Sequence, residues 1–198
     1  MAMIVDFIKK RKLFSSLIFI LILGIISSLF FIMLLDNDNM IIMKNSIDTY
    51  FNNIKNNNIN YMSNLGISLV NNMLISFIIW VLGISIIGCL IIYLIYFIKC
   101  FTISLSFISI IKIYGFKGIV LGIIYIIPYI INIGIFFILS YYAISFSILL
   151  FKYIFRGVSY NRKVVVKRYL KVFLICLIIL IISSLLDVFV VPRILLLF

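Results

Sequence analysis

The sequence predicts an all-α, polytopic membrane protein of about five transmembrane helices. Three observations predict it. Hydrophobic residues fill 66% of the 198 positions, against roughly 45–50% in soluble domains. Long apolar runs alternate with charged or Asn-rich stretches. Basic residues outnumber acidic ones by 17 to 5. In a bilayer protein such an excess collects in cytoplasmic segments, so the charge reads as a topology signal and not as a nucleic-acid footprint.

Residues 1–12 form a polar arm ending in Lys9, Lys10, Arg11 and Lys12. The apolar run 13–35 exceeds the roughly 20 residues that cross a hydrocarbon core. Asp36, Asn37 and Asp38 follow it in place of a small-residue cleavage site, which predicts an uncleaved anchor with the N-terminus inside. Residues 36–72 hold twelve Asn and form an outer loop. Within it Met43, Ile47, Tyr50, Phe51 and Ile54 recur at helical spacing, predicting an amphipathic helix on the outer membrane surface. A helix docked on a partner protein, or a polar loop with scattered apolar residues, carries the same pattern. Residues 73–97 read as the second span, closed on the cytoplasmic side by Lys99. Trp80 is expected in the interfacial belt near its outer end, with Gly83 and Gly88 easing close helix contact or a bend.

Residues 100–117 combine a short apolar run with a turn. Lys112 or Lys117 at mid-bilayer would cost roughly 2.5–3.5 kcal/mol, so the segment between them is expected at an interface. The run 118–151 is too long for one untilted span. Pro128 removes a helical hydrogen bond and predicts a proline-broken span, with the kink near Tyr129. Gly118 and Gly122 form a GxxxG pair that permits close helix crossing. Two arrangements stay open here. Either a short helix crosses and a long tilted one returns, or a re-entrant piece precedes a long run split in two. Residues 152–171 form a basic cytoplasmic loop carrying Arg162, Lys163, Lys167, Arg168 and Lys171. It serves topology and contact with anionic lipids, or docks a soluble partner. Residues 172–191 are the last span, with Asp187 near its outer end. Residues 192–198, from Pro192 onward, form an outer tail, so the chain is expected to run N-in and C-out. Twelve of the seventeen basic residues then lie in cytoplasmic parts.

The chemistry open to such a chain is narrow. There is no His and no Glu; the five acids are Asp6, Asp36, Asp38, Asp48 and Asp187. Serine–histidine and HExxH proteolysis are therefore excluded. An aspartyl dyad needs two facing intramembrane carboxylates, and only Asp187 lies near a span. The phosphate-binding pattern GxxxxGK[ST] is absent; Cys89 follows Gly88 where its lysine would stand. Cys89, Cys100 and Cys176 have no metal-ligand spacing and read as small apolar residues. Ser104, Ser106 and Ser109 read as helix-backbone or interhelical hydrogen bonders. No enzyme activity, cofactor, metal or nucleic-acid partner is expected. Association with further copies of the same chain is compatible with the pattern.

Three stretches carry a family resemblance. ISFIIWVLGISIIGCLIIYLIYFIKCFTISLSF (residues 75–107), YGFKGIVLGIIYIIPYIINIGIFFILSYYAISFSILLF (114–151) and SSLLDVFVVPRIL (183–195) resemble stage II sporulation protein M. The order agrees across nearly the whole chain: basic arm and anchor, polar outer loop, Trp-Val-Leu-Gly span, Lys-Gly turn, proline-containing span, basic loop, final span. The family has polar residues just after the proline, where this chain has Tyr129 and Ile130. It has Glu five positions before the final proline, where Asp187 stands before Pro192. The resemblance implies a membrane scaffold of the forespore engulfment machinery. Such a protein works with sporulation proteins D and P, which cut peptidoglycan at the septum, and resides in the mother-cell engulfing membrane. The outer segment, with Tyr50, Phe51 and Ile54, and the chain end at Asp187 and Pro192 are the expected partner contacts. A permease subunit powered by a separate ATPase is the alternative function.

Overall fold

A computed structural model describes residues 2–56, 60–157 and 162–196, and among them the chain is helical without strands. The elements are α1 (Ala2–Leu34), α2 (Asn37–Lys55), α3 (Tyr61–Ile84), α4 (Gly88–Arg156), α5 (Arg162–Leu185), a π-helical turn (Leu186–Val190) and α6 (Val191–Leu195). Among the described residues, four stretches are long and apolar enough to cross a membrane: Arg11–Leu34, Tyr61–Ile84, Gly88–Phe155 and Lys163–Leu195. The protein is a polytopic helical membrane protein.

The third stretch is a hairpin. Gly115 has φ 59° and ψ −129°, torsions outside the helical basin that cost a side-chain-bearing residue strain. Beyond it the chain folds back on itself: a Cβ on Gly118 would strike the Ile110 carbonyl and come within 2.9 Å of Ile111 Cα, and one on Gly122 would lie 3.0 Å from the Phe107 ring. The GxxxG pair thus joins the two arms of α4, residues 88–114 and 116–156. The chain stays helical through Pro128, so the break lies at Gly115, between Lys112 and Lys117. Pro128 is instead held by α5, whose Ser183 hydroxyl donates to its carbonyl at 2.8 Å.

The expected second span is redrawn. α3 begins at Tyr61, ends at Ile84, and residues 85–87 turn the chain into α4. Residues 88–97 therefore belong to the first α4 arm. This turn carries no charge because protein satisfies its backbone. Ser147 donates to the Ser85 carbonyl at 2.7 Å, and the Cys89 thiol donates to Ser147 at 3.1 Å. Non-helical backbone at membrane depth is tolerated where such partners exist. Gly88 is required there, since a Cβ would strike the Leu82 carbonyl.

α1 runs beside the first α4 arm. Ser16 and Tyr93 hydroxyls meet at 2.8 Å, Gly24 abuts Cys100, and Lys112 Nζ donates to the Ile32 carbonyl at 2.9 Å. That carbonyl is one of those a helix C-terminus leaves unpaired. α3 packs antiparallel to α5, with Gly83 against Ala143 and Tyr169 near one end and Asn72 on Ser184 near the other. The common core gathers Leu17, Ile79, Ile92, Tyr96, Phe136, Leu139 and Leu180.

Most of the basic segment, residues 152–171, is helical where the structure describes it. Helix α4 runs to Arg156 and α5 starts at Arg162. Lys163, Lys167, Arg168 and Lys171 are exposed on the first turns of α5, and Arg168 stands over the Tyr142 ring at 5.9 Å. Trp80 lies at this basic end of the bundle and not at the opposite one. It stacks on Phe173 at 5.0 Å and Tyr169 at 6.0 Å, and Tyr169 donates to the Trp80 carbonyl.

Candidate functional site

α2 caps the end of the bundle opposite the basic segment. Its stripe turns toward the other helices: Met43, Ile47, Phe51 and the partly exposed Tyr50 line a common cavity, and Ile54 is buried. Ile54 is buried with Ile124, Val191 and Leu195. Phe51 meets Tyr114 edge-on at 5.6 Å, and the Tyr114 hydroxyl donates to Asp48. Both contacts tie α2 to the α4 reversal.

Beneath α2 lies a cavity of about 1210 Å³. α2 contributes Ile42, Ser46, Ile47 and Tyr50; α3 contributes Ser68, Asn71, Asn72 and Ile75. The α4 arms contribute Lys99, Thr102, Ser106 and Ser109 on one side, and Tyr125, Tyr129, Asn132 and Phe136 on the other. Asp187 and Val188 of the π-helical turn, with Pro192 of α6, complete the wall. π-helical turns often mark functional positions because they re-aim one side chain. Here the turn presents Asp187, which accepts from the Tyr129 hydroxyl at 3.3 Å, and Tyr129 stacks on Tyr125 at 4.8 Å.

Four of the five residues expected to meet external partners therefore surround this cavity, and Ile54 sits in the apolar cluster beside it. Asp187 is half-buried and Pro192 buried, so neither is displayed outward. Trp80, Gly83, Gly88, Gly118, Gly122 and Pro128 pack helices elsewhere, and the basic residues of α5 lie at the far end.

Lys99 departs furthest from expectation. Sequence reading sets it at the end of a span. The structure sets it inside the first α4 arm, about 16 Å along the axis from Gly88 at 1.5 Å per residue. Its ammonium lies 5.4 Å from the Phe136 ring centroid. Asn72 and Asn132, both buried, were missed as well. Their signal was available: amides within apolar runs face a bundle interior or cavity.

Tyr50 lies on α2, outside the spans. Desolvation, then the charge of Asp187 and then Tyr125, raise its phenol above the ordinary value. Such a group leaves stability untouched below its unfolded value of about 10, and stability falls as pH rises above that value. The melting temperature is expected to drop between about pH 10 and 11, and to drop less in Tyr50→Phe. Identical profiles would remove Tyr50 from the cavity wall.

A family model described as Stage II sporulation protein M matches residues 16–192. No curated protein and no solved structure matches the chain.

Proposed function

We propose that this chain, which belongs to the stage II sporulation protein M family and is thereby a sporulation-related membrane protein, acts without catalysis of its own as a scaffold for septal peptidoglycan remodelling. In this reading the N-terminus and the basic end of α5 face the cytoplasm, and α2 faces the space between membrane and wall. The chain works in the mother-cell engulfing membrane. Its partners are the wall-cutting sporulation proteins D and P.

One observation carries the reading. α2 is docked by its apolar stripe, which leaves Asp38, Asn45, Thr49, Asn52 and Asn53, together with Ile41 and Ile42, exposed on a helix held at the end of the bundle. A fixed platform, polar but for two isoleucines, suits recruitment, because little ordering entropy remains to be lost when a partner binds. Contact therefore falls on the outward face of α2 and not on Asp187 or Pro192. The triple substitution Asn45→Arg, Asn52→Arg, Asn53→Arg is expected to remove both partners from pull-downs of sporulating membranes, while Asp187→Asn retains them. Unchanged recovery with the triple variant rejects the platform.

The cavity favours a second reading, a permease subunit driven by a separate ATPase. That reading predicts an ATPase co-purifying through residues 152–171.

A further inference from the structure

The cavity holds two opposite charges that do not meet. Lys99 is half-buried at its deep end. Among the described residues it has an aromatic face, Phe136, and no carboxylate partner. Lys99 lies within an apolar stretch long enough to span a membrane. An ammonium at the centre of such a span costs roughly 2.5–3.5 kcal/mol to insert, and ionisable groups within spans are retained where they meet a partner. Asn132, 4% exposed, lines the same cavity, and its Oδ1 has no hydrogen-bond partner. An unpaired buried acceptor is destabilising unless something donates to it.

Toward α2 stands the negative pole. Asp187 is flanked by the stacked rings of Tyr125 and Tyr129, and Tyr50 lines the same wall. A carboxylate among aromatic faces is the chemistry that recognises an ammonium. Phe136 marks the height of Lys99 and Tyr129 that of Asp187. These two residues lie seven positions apart on one helical arm, a rise of about 10 Å. The poles are thus separated by about three residues of extended chain at roughly 3.3–3.6 Å each. The phosphate and ammonium of one lipid headgroup are only two carbons apart and do not bridge such a gap.

We infer that the cavity is a binding site for a short zwitterionic peptide. Its carboxylate rests on Lys99, its ammonium on Asp187 and the tyrosines, and a backbone N–H donates to Asn132 Oδ1. Ile75, Ile103 and Ile110 supply apolar wall for its side chains. The cavity exceeds the usual range of about 300–1,000 Å³ for small-ligand sites, so a tripeptide fits with room for side chains larger than methyl. This site does not depend on the scaffold role, whose test reads partner recovery and not ligand binding.

Trialanine is the probe, titrated calorimetrically into full-length protein in nanodiscs of zwitterionic lipid. Saturable binding is expected, weakened about tenfold by N-acetylation and about tenfold by C-amidation. Lys99→Met should abolish the effect of amidation, and Asp187→Asn that of acetylation. The end-blocked peptides test the wild-type protein, so the inference stays open to refutation even if a variant fails to fold. Absence of binding at roughly 10 mM trialanine overturns it. So does equal binding of the blocked peptides, or tighter binding of octyl phosphate, which would mark an anionic amphiphile site.

Discussion

Gly118→Leu is expected to force the two arms of α4 apart. A Cβ at this position meets backbone, the Ile110 carbonyl and Ile111 Cα, and backbone inside a helix has little freedom to retreat. Overpacking typically costs about 1–3 kcal/mol, and a leucine pressed onto main chain belongs at or above the upper end. At about 2–4 °C per kcal/mol for a chain of this length, the melting temperature in detergent should fall by roughly 10 °C. Two companions separate causes. Gly115→Ala meets no atom within 4 Å, so its cost is torsional alone, about 1–3 kcal/mol. Gly134→Ala enters open space inside a helix and should cost nothing. A Gly118→Leu protein as stable as Gly134→Ala would refute the hairpin packing.

Ile54→Asp is expected to release α2 from the bundle. Ile54 is 2% exposed among Ile124, Val191 and Leu195, and an unpaired carboxylate there faces a desolvation cost of several kcal/mol. Few other contacts hold α2: the Tyr114–Asp48 hydrogen bond, the Phe51–Tyr114 ring pair and the apolar stripe. A 19-residue helix without its docking face is only marginally stable in water. Hydrogen exchange should show loss of amide protection across Asn37–Lys55 with α1 and α3 unchanged. Ile54→Leu, which conserves volume, should keep that protection.

The parts of the fold legible in the sequence are those governed by local rules. The stripe from Met43 to Ile54 is a helical period whatever surface it meets, so its existence was readable but its docking partner was not. Lys112 and Lys117 bracket a turn because unsolvated lysines are costly, and the reversal falls at Gly115 between them. Misreading arose where tertiary contacts replace water. Residues 85–87 carry neither charge nor proline, because Ser147 supplies the hydrogen bond that solvent would otherwise give. Continuous hydropathy therefore concealed the end of α3. Charges usually stand at the edge of a span, which is where the sequence sets Lys99; a cavity lined by α4 and five other elements lets one stand inside. Its place near the outer end of the last span makes Asp187 look displayed, whereas the π-helical turn and Tyr129 draw it inward.

The uncharged turn between α3 and α4 bears on how the chain is made. A translating ribosome delivers α3 and then the first α4 arm with no lysine or arginine between them to be retained on either side. Neither helix carries an orientation cue at that junction, so the pair must partition into lipid as one helical hairpin. Its direction is set by cationic segments emerging before and after it. Lysine inserted at residues 85–87 would therefore alter biogenesis before it altered packing, by giving each member of the pair an address of its own.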